Sequence, residues 1–505
     1  MASEMTRRGF LPLLAAGAAS AQPVDQPNIL VLMSDQHNPR VTGCYGDSIV
    51  QTPNLDALAG RGVLFENAYC QAPVCVPSRM SFLSSRQPSE NRVWSNGDTL
   101  PSDVTTFAHA LGASGYETAL IGRMHFNGVD QWHGFEKRLV GALSPQFPYV
   151  GYPLSKELFP GATNSSRASV TIAGPGRTAY QAFDEEVTKA AIEFVRGRKA
   201  GDRPFCAVAG FVLPHSPFVC TKKDWDYYYD RVAIPRVPPG YFETLHPALK
   251  AWRERRGVNV LTGEEVRRAR AGYYGLVAEF DRHVGRILGA LREAGLEQNT
   301  IVVYTTDHGE KAGENGLWWK TTFYDGSASV PLIVSYPARI KGGRRAREVV
   351  SLVDIGPTLS DLAGGEKMPM ATGRSLVPVL QGNASNWSNE AFSELPATPG
   401  VPTSRMIRSG RWKLIHYDGM RPQLFDLESD PNEFTDLGES AGHAEIRQKL
   451  QARVLEGWSA KAIDAEMAQR ARHNELIRKW SQKVRPAAPQ QWYPPPGVNV
   501  PPQPR

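Results

Sequence analysis

The chain has 505 residues, 41% of them hydrophobic, with 57 Lys and Arg against 51 Asp and Glu for a formal charge of +6. That is enough apolar material for a large core shared between two domains, and so mild and mixed an excess of charge argues against a nucleic-acid partner. Beyond the N-terminus no apolar run is long enough to span a membrane, so no membrane span is expected. The five cysteines, Cys44, Cys70, Cys75, Cys206 and Cys220, include no C-x-x-C pair. An odd, sparse set is a poor disulfide framework and a poor zinc knuckle, and leaves open whether Cys206 and Cys220 pair.

Taken in chain order, residues 1–21 come first. Arg7 and Arg8 precede a short apolar run and Ala19-Ser20-Ala21, which reads as a Tat-like signal peptide. The expected location is periplasmic or secreted. Next, "PNILVLMSDQ", "YETALIGRMHF", "FCAVAGFVLPH", "TIVVYTTDHG" and "SVPLIVSYP" are continuous apolar runs of the kind buried on both faces of a parallel sheet. Between them lie helical periodicities, one with Phe183, Val187, Ala191 and Phe194 on one face, another with Val277, Phe280, Val284, Ile287 and Leu291 and a closing Gly295. The expected fold is α/β, a large mainly parallel (mixed) sheet sandwiched by helices over residues 22–375. Residues 376–485, with "MIRSGRWKLIHYD" and "QLFDLESDPNEFTDL", suggest a smaller antiparallel sheet followed by a surface helix. The proline-rich residues 486–505 read as an extended arm, suited to wrapping a neighbouring subunit of a homo-oligomer.

Four strand runs end in polar groups: Asp35-Gln36, then Arg123 and His125, then His215, then Asp307-His308. Each alone reads as a cap or a structural histidine. Four at the carboxyl ends of one sheet converge on one rim, where active sites of such sheets form. Asp35, Gln36, Asp307 and His308 make a donor set for one divalent cation, with oxygen favouring Ca²⁺ or Mg²⁺ and imidazole admitting Mn²⁺. Arg79, Arg123, His125, His215 and Lys320 add positive charge for a compact oxyanion such as sulfate or phosphate.

"CVPSR" at Cys75 matches C-x-P-S-R, the maturation motif of type I sulfatases in the alkaline phosphatase superfamily. The resemblance extends in order through "DQH" at Asp35, "GRMHF", "LPHSPF" and "TTDHGEKAGENGLWWKTTFYDGSASVPLI". Asp-Gln and Asp-His at the metal loops, with "DQWHGFEKRL" and "RSGRWKLIHY", resemble the branch of choline sulfatases and phosphonate monoester hydrolases. The resemblance implies that a formylglycine-generating enzyme oxidises Cys75 to formylglycine. Its hydrate carries one hydroxyl to attack sulfur and a second to lose a proton and expel sulfate. It further implies metal held by Asp35, Gln36, Asp307 and His308, and Arg79 fixing the nucleophile. His125 would be the base beside Arg123, and His215 and Lys320 would meet the ester oxygen. Asn96, in "RVWSN", is either a sulfate-binding asparagine or a turn residue.

Arg123 stands where the family has lysine, which confines it to electrostatics because arginine does not release its proton. The implied activity is hydrolysis of a small-molecule or carbohydrate sulfate ester. A phosphonate monoester or phosphate diester is the alternative, and a non-catalytic anion-binding protein is the third reading. An aromatic box for choline would draw on Trp132, Trp318, Trp319 or Trp492, although a tryptophan is more often a packing residue.

Overall fold

The computed structural model describes residues 26–143, 147–148, 162–163, 165–487, 491–495 and 497–502. The signal-peptide reading of residues 1–21 lies outside the described residues, as does most of "GALSPQFPYVGYPLSKELFP".

The strands are β1 Asn28–Ser34, β2 Val63–Tyr69, β3 Glu117–Gly122, β4 Lys137–Val140, the two-residue β5 Gly174–Pro175, β6 Phe205–Gly210, and the two-residue β7 Val219–Cys220. They continue with β8 Thr300–Thr306, β9 Ser329–Ser335, β10 Arg344–Ser351, β11 Glu390–Leu395, β12 Ser404–Ser409, β13 Trp412–Tyr417 and β14 Gln423–Asp426. Eight form the main sheet in the order β10-β2-β9-β8-β1-β6-β3-β4. All its pairings are parallel except those of β9, which runs against both β2 and β8.

The unbroken apolar run of β1 follows from burial on both faces. Leu30 and Leu32 enter one core with the helices Ala179–Arg196 and Gly263–Glu293. Ile29, Val31 and Met33 enter the other with the helices Cys75–Ser84, Phe107–Ala113 and Ile355–Ala363. Successive side chains of a strand point to opposite faces, so both sets must be apolar. The Gly263–Glu293 helix starts well before its apolar stripe, at a capping box between Thr262 and Glu265, and ends before Gly295, whose φ of +71° is the left-handed turn that stops it.

The second sheet, β11-β12-β13-β14, is antiparallel throughout. One face carries Ile407, Leu414 and Leu424 against Leu450 and Val454 of the Ala444–Leu455 helix, and the other joins the first core through Met406, Ile415 and Phe425. The single helix expected there is two, Ala444–Leu455 and Ala460–Val484, interrupted by Gly457 at φ +66°. Fully buried Lys413 of β13 donates to Glu433 Oε1 at 2.7 Å and the Phe323 carbonyl at 3.0 Å, and pairs with Asp325. The second sheet is thereby fastened to the loop that follows β8.

The described residues of the proline-rich tail have extended backbone and pack on the body of the fold. They lie on their own chain: Val500 exchanges backbone hydrogen bonds with Arg177, and Trp492 packs edge-on against Phe183 at 5.4 Å. Asn499 Oδ1 accepts from Ala179 N at 2.7 Å, the first turn of the Ala179–Arg196 helix, whose free N–H groups need such acceptors. A proline-rich segment lacks the donors to form its own ladder, so it gains order by packing on a folded surface. Cys206 and Cys220 are buried and unpaired. Among the described residues no helix is long and apolar enough to cross a membrane.

Candidate active site

β1, β3, β6 and β8 run in parallel, so their carboxyl ends bring Asp35, Arg123, the segment leading to His215, and Asp307 to one rim. Gly210 ends β6 without a side chain because the Arg123 carbonyl oxygen lies 1.8 Å from where its Cβ would stand. Asp184 accepts from Val212 N at 2.9 Å and Leu213 N at 2.8 Å, which holds the turn that presents His215.

Cys75 is the first residue of the buried Cys75–Ser84 helix and enjoys the partial positive charge of its N-terminus. Its Sγ lies 2.9 Å from Lys320 Nζ, 3.3 Å from His308 Nε2 and 3.8 Å from Asp35 Oδ1. Burial opposes ionisation of this thiol. Lys320 foremost, with a hydrogen bond from His125, outweighs it and holds the thiol well below its ordinary range. The other buried cysteines, such as Cys70 and Cys206, are pushed up by burial, the latter to about 12.

Arg79, one helical turn on, is fully buried. Its Nε donates to Asp307 Oδ2 at 2.8 Å, Nη2 to Asp35 Oδ2 at 3.1 Å and Nη1 to the Arg123 carbonyl at 3.0 Å. Arg123 Nε donates to the same Asp35 oxygen at 2.8 Å. Burial and the neighbouring thiol work against the Asp35 charge, and Arg123 and Arg79 overcome both, so Asp35 is held below the usual carboxylate range. Burial raises Asp307 despite Arg79.

Ligand atoms of Asp35, Cys75, Asp307 and His308 all lie within 4.8 Å of one another. His308 Nδ1 faces the Gly309 carbonyl at 3.0 Å, which takes its N–H, so Nε2 is the nitrogen that faces this cluster and can ligate a cation. Gln36 Oε1 is buried without a hydrogen-bond partner among the described residues. Two carboxylates, an imidazole lone pair and an unpaired amide oxygen are a coherent donor set for one divalent cation.

Lys320 Nζ also lies 3.0 Å from His215 Nε2 and 3.2 Å from His308 Nε2. His215 Nδ1 faces the Ser216 carbonyl at 2.7 Å, so Nδ1 bears the hydrogen and Nε2 accepts from the lysine. Arg123 Nη2 donates to His125 Nδ1 at 2.9 Å. Burial and Arg123 push His125 down to about 4, leaving a neutral ring whose N–H is at Nε2. Asn96 Oδ1 accepts from Val76 N at 3.0 Å, so this exposed residue caps the helix that Cys75 begins.

The structure therefore brings all of the sequence-selected residues to one place, Asn96 through its cap. Two residues there lack a sequence signal. Tyr180 lies edge-on to His215 with ring centroids 6.0 Å apart, and its helical position reads as core. Glu310 accepts from the Gln36 amide at 2.6 Å, and sits among polar turn residues in the sequence. Of the four tryptophans considered for an aromatic box, Trp318 and Trp319 are buried, Trp492 lies on Phe183, and Trp132 is exposed.

Residues 27–365 match the sulfatase family, and residues 313–459 match the C-terminal region of N-sulphoglucosamine sulphohydrolase. The chain belongs to the sulfatase family. This sulfatase is 34% identical over 475 residues to a choline-sulfatase of Rhizobium meliloti (strain 1021), an alignment covering 90% of each protein. It is 30% identical over 499 residues to arylsulfatase K of Bos taurus, covering 93% of this chain and 88% of that one. The phosphonate monoester hydrolase of Agrobacterium radiobacter superposes with a TM-score of 0.71 at 26% identity, over 86% of this sulfatase and 96% of that chain. The fold and the enzyme class are thus those of a sulfuric ester hydrolase.

Proposed function

We propose that this sulfatase cleaves a small-molecule or carbohydrate sulfate monoester to an alcohol and inorganic sulfate, using formylglycine formed from Cys75. The observation that carries this is Cys75 at a buried helix N-terminus with Lys320, His308 and Asp35 all within 4 Å of its sulfur. Formylglycine supplies a nucleophile that can release sulfate afterwards, which a thiol does poorly. A divalent cation, Ca²⁺ foremost and Mn²⁺ or Mg²⁺ next, would be held by Asp35, Gln36, Asp307 and His308, and supplies charge neutralisation for sulfuryl oxygens.

The protein's own groups divide the remaining work. Arg79 keeps Asp35 and Asp307 together under residue 75. Arg123 faces the developing negative charge without giving up a proton. Lys320 donates to the departing alcohol oxygen, and His215 orients it through Nε2. With Nδ1 engaged by Arg123, His125 directs an N–H at residue 75, so its service as a base begins only when that proton has been handed on. Asn96 keeps its amide nitrogen free of partners among the described residues, available to a sulfuryl oxygen, since its Oδ1 is the end that caps the helix. Export through a Tat-like signal would place the enzyme in the periplasm or outside the cell.

The likeness to a phosphonate monoester hydrolase supports hydrolysis of a phosphonate monoester or phosphate diester as a second reading. Enzyme produced with a formylglycine-generating enzyme tests the main one. The tryptic peptide from Gly62 to Arg79 carries the mass of formylglycine in place of Cys75, and an aryl sulfate is turned over faster than the matched aryl phosphonate. An unconverted thiol in active enzyme removes the formylglycine reading, and a faster phosphonate moves the assignment to the second.

A further inference from the structure

Glu310 lies two residues after His308, is 0% exposed, and forms no ion pair among the described residues. An unpaired carboxylate sealed from water is costly, so its hydrogen bonds have to account for it. There are three. Oε1 accepts from Ala312 N at 2.7 Å and from Trp319 N at 2.5 Å, and Oε2 accepts from Gln36 Nε2 at 2.6 Å. Ala312 and Trp319 both have positive φ, +44° and +55°, a conformation that non-glycine residues hold only when something fixes it. Trp319 immediately precedes Lys320.

Gln36 is pinned at its backbone. Its N–H donates to Asp307 Oδ1 at 3.1 Å and its carbonyl accepts from Tyr273 Oη at 2.9 Å, with φ at +69°. What stays undecided is the end-over-end orientation of the side-chain amide, because its oxygen and nitrogen ends have nearly the same shape. Three N–H donors on its two oxygens favour the ionised form of Glu310, and a carboxylate accepts only, so it takes the nitrogen end. The oxygen end is then left buried and without a partner among the described residues.

We propose that Glu310 is a positioning residue that orients the Gln36 amide, nitrogen inward to itself and oxygen toward the metal position, while the same carboxylate fixes the turn that delivers Lys320. The proposal rests on the metal reading above. Its chemical content is that one buried carboxylate ties the end of β1 to the loop after β8, coupling the metal side of the site to the leaving-group side.

Glu310→Gln tests this without changing shape. Its Oε1 still accepts from Ala312 and Trp319, but its new NH₂ opposes that of Gln36. The Gln36 amide must flip and turn its nitrogen to the metal position. Calorimetric titration of metal-stripped protein with Mn²⁺ or Ca²⁺ alone reads the consequence directly. Glu310→Gln binds about 10- to 100-fold more weakly than wild type, the range for losing an outer-shell partner. The swap Gln36→Glu with Glu310→Gln regains most of that affinity, because the carboxylate then at position 36 accepts from the amide at position 310 with one oxygen and offers the other. Thermal unfolding of the stripped variants identifies any that have lost the fold, and the swap provides the test independently of Glu310→Gln alone. Unchanged affinity in Glu310→Gln, or a swap no better than Glu310→Gln in folded protein, overturns the proposal. Wild-type protein that binds no divalent cation overturns the metal reading itself, and the proposal with it, before any variant is made.

Discussion

Replacing Lys320 by alanine separates proton donation from charge stabilisation. Lys320 Nζ sits 2.9 Å from Cys75 Sγ and 3.0 Å from His215 Nε2, and the hydrogen on His215 Nδ1 is committed to the Ser216 carbonyl at 2.7 Å. The lysine is therefore the group with a proton to give, and the histidine holds it in place. A positioned general acid contributes about 10²- to 10⁴-fold, which is about 3 to 5.5 kcal/mol of barrier at about 1.4 kcal/mol per decade. A charge-assisted hydrogen bond to an oxygen that needs no proton is worth about 1.5–3 kcal/mol, of which part is already present before reaction. For an alkyl or unsubstituted phenyl sulfate, Lys320→Ala thus lowers kcat/KM by about 10²- to 10⁴-fold. For a nitrophenyl sulfate, whose phenolate leaves unprotonated, the loss is about tenfold. The assay is kcat/KM across phenyl sulfates of graded phenol acidity, normalised to the fraction of Cys75 converted in each preparation. The dependence on leaving-group acidity steepens in the variant. Lys320→Arg, which keeps charge and not a transferable proton, recovers only the acidic end of the series. An equal loss across the series would refute the assignment.

Chelation and replenishment of divalent metal check the donor set: cation at about 1,000 times its dissociation constant raises stability by about 4 kcal/mol, read as a higher Tm, and Asp307→Asn abolishes that increment. His283, buried between Thr188 and Phe211, is pushed down to about 4 by burial. Its depressed value means that the unfolded chain takes the proton first, so stability falls as pH drops from about 6.5 toward about 4. Between pH 7 and pH 5 this one group removes about 2 kcal/mol, and His283→Asn shows a correspondingly flatter urea midpoint against pH. Deleting residues 486–505 removes Trp492 and the Asn499 cap, lowers Tm, and leaves the sedimentation coefficient that of the same oligomeric state; a change of state supports the arm reading.

Much of the site was legible because its residues follow apolar runs that have no other reason to end in charge. Asp35 and Asp307 close strands buried on both faces, where a carboxylate needs a partner, and Arg79 is that partner 2.8 Å from Asp307. Glu310 stayed hidden because its value lies in three hydrogen bonds to residues 2, 9 and 274 positions away, which no spacing rule links. Tyr180 stayed hidden because it occupies an ordinary core position of an amphipathic helix. The start of the Gly263–Glu293 helix had a readable signal in Thr262 and Glu265, masked by a polar first turn. The tail's resting place depended on a surface made by distant segments, Gly174 to Ala179 and Phe183, and composition alone carries no such information.

The reversed direction of β9 gathers much of the site onto one connection. Since β8 and β9 are antiparallel neighbours, residues 307–328 leave the rim and return to it without crossing the sheet. Asp307, His308, Glu310 and Lys320 all ride on that excursion. Its two stems are held in register by strand pairing, independent of what lies between them. The segment thus carries both halves of the chemistry, the metal side through Asp307 and His308 and the leaving-group side through Lys320, on stems that the eight-stranded frame keeps in register.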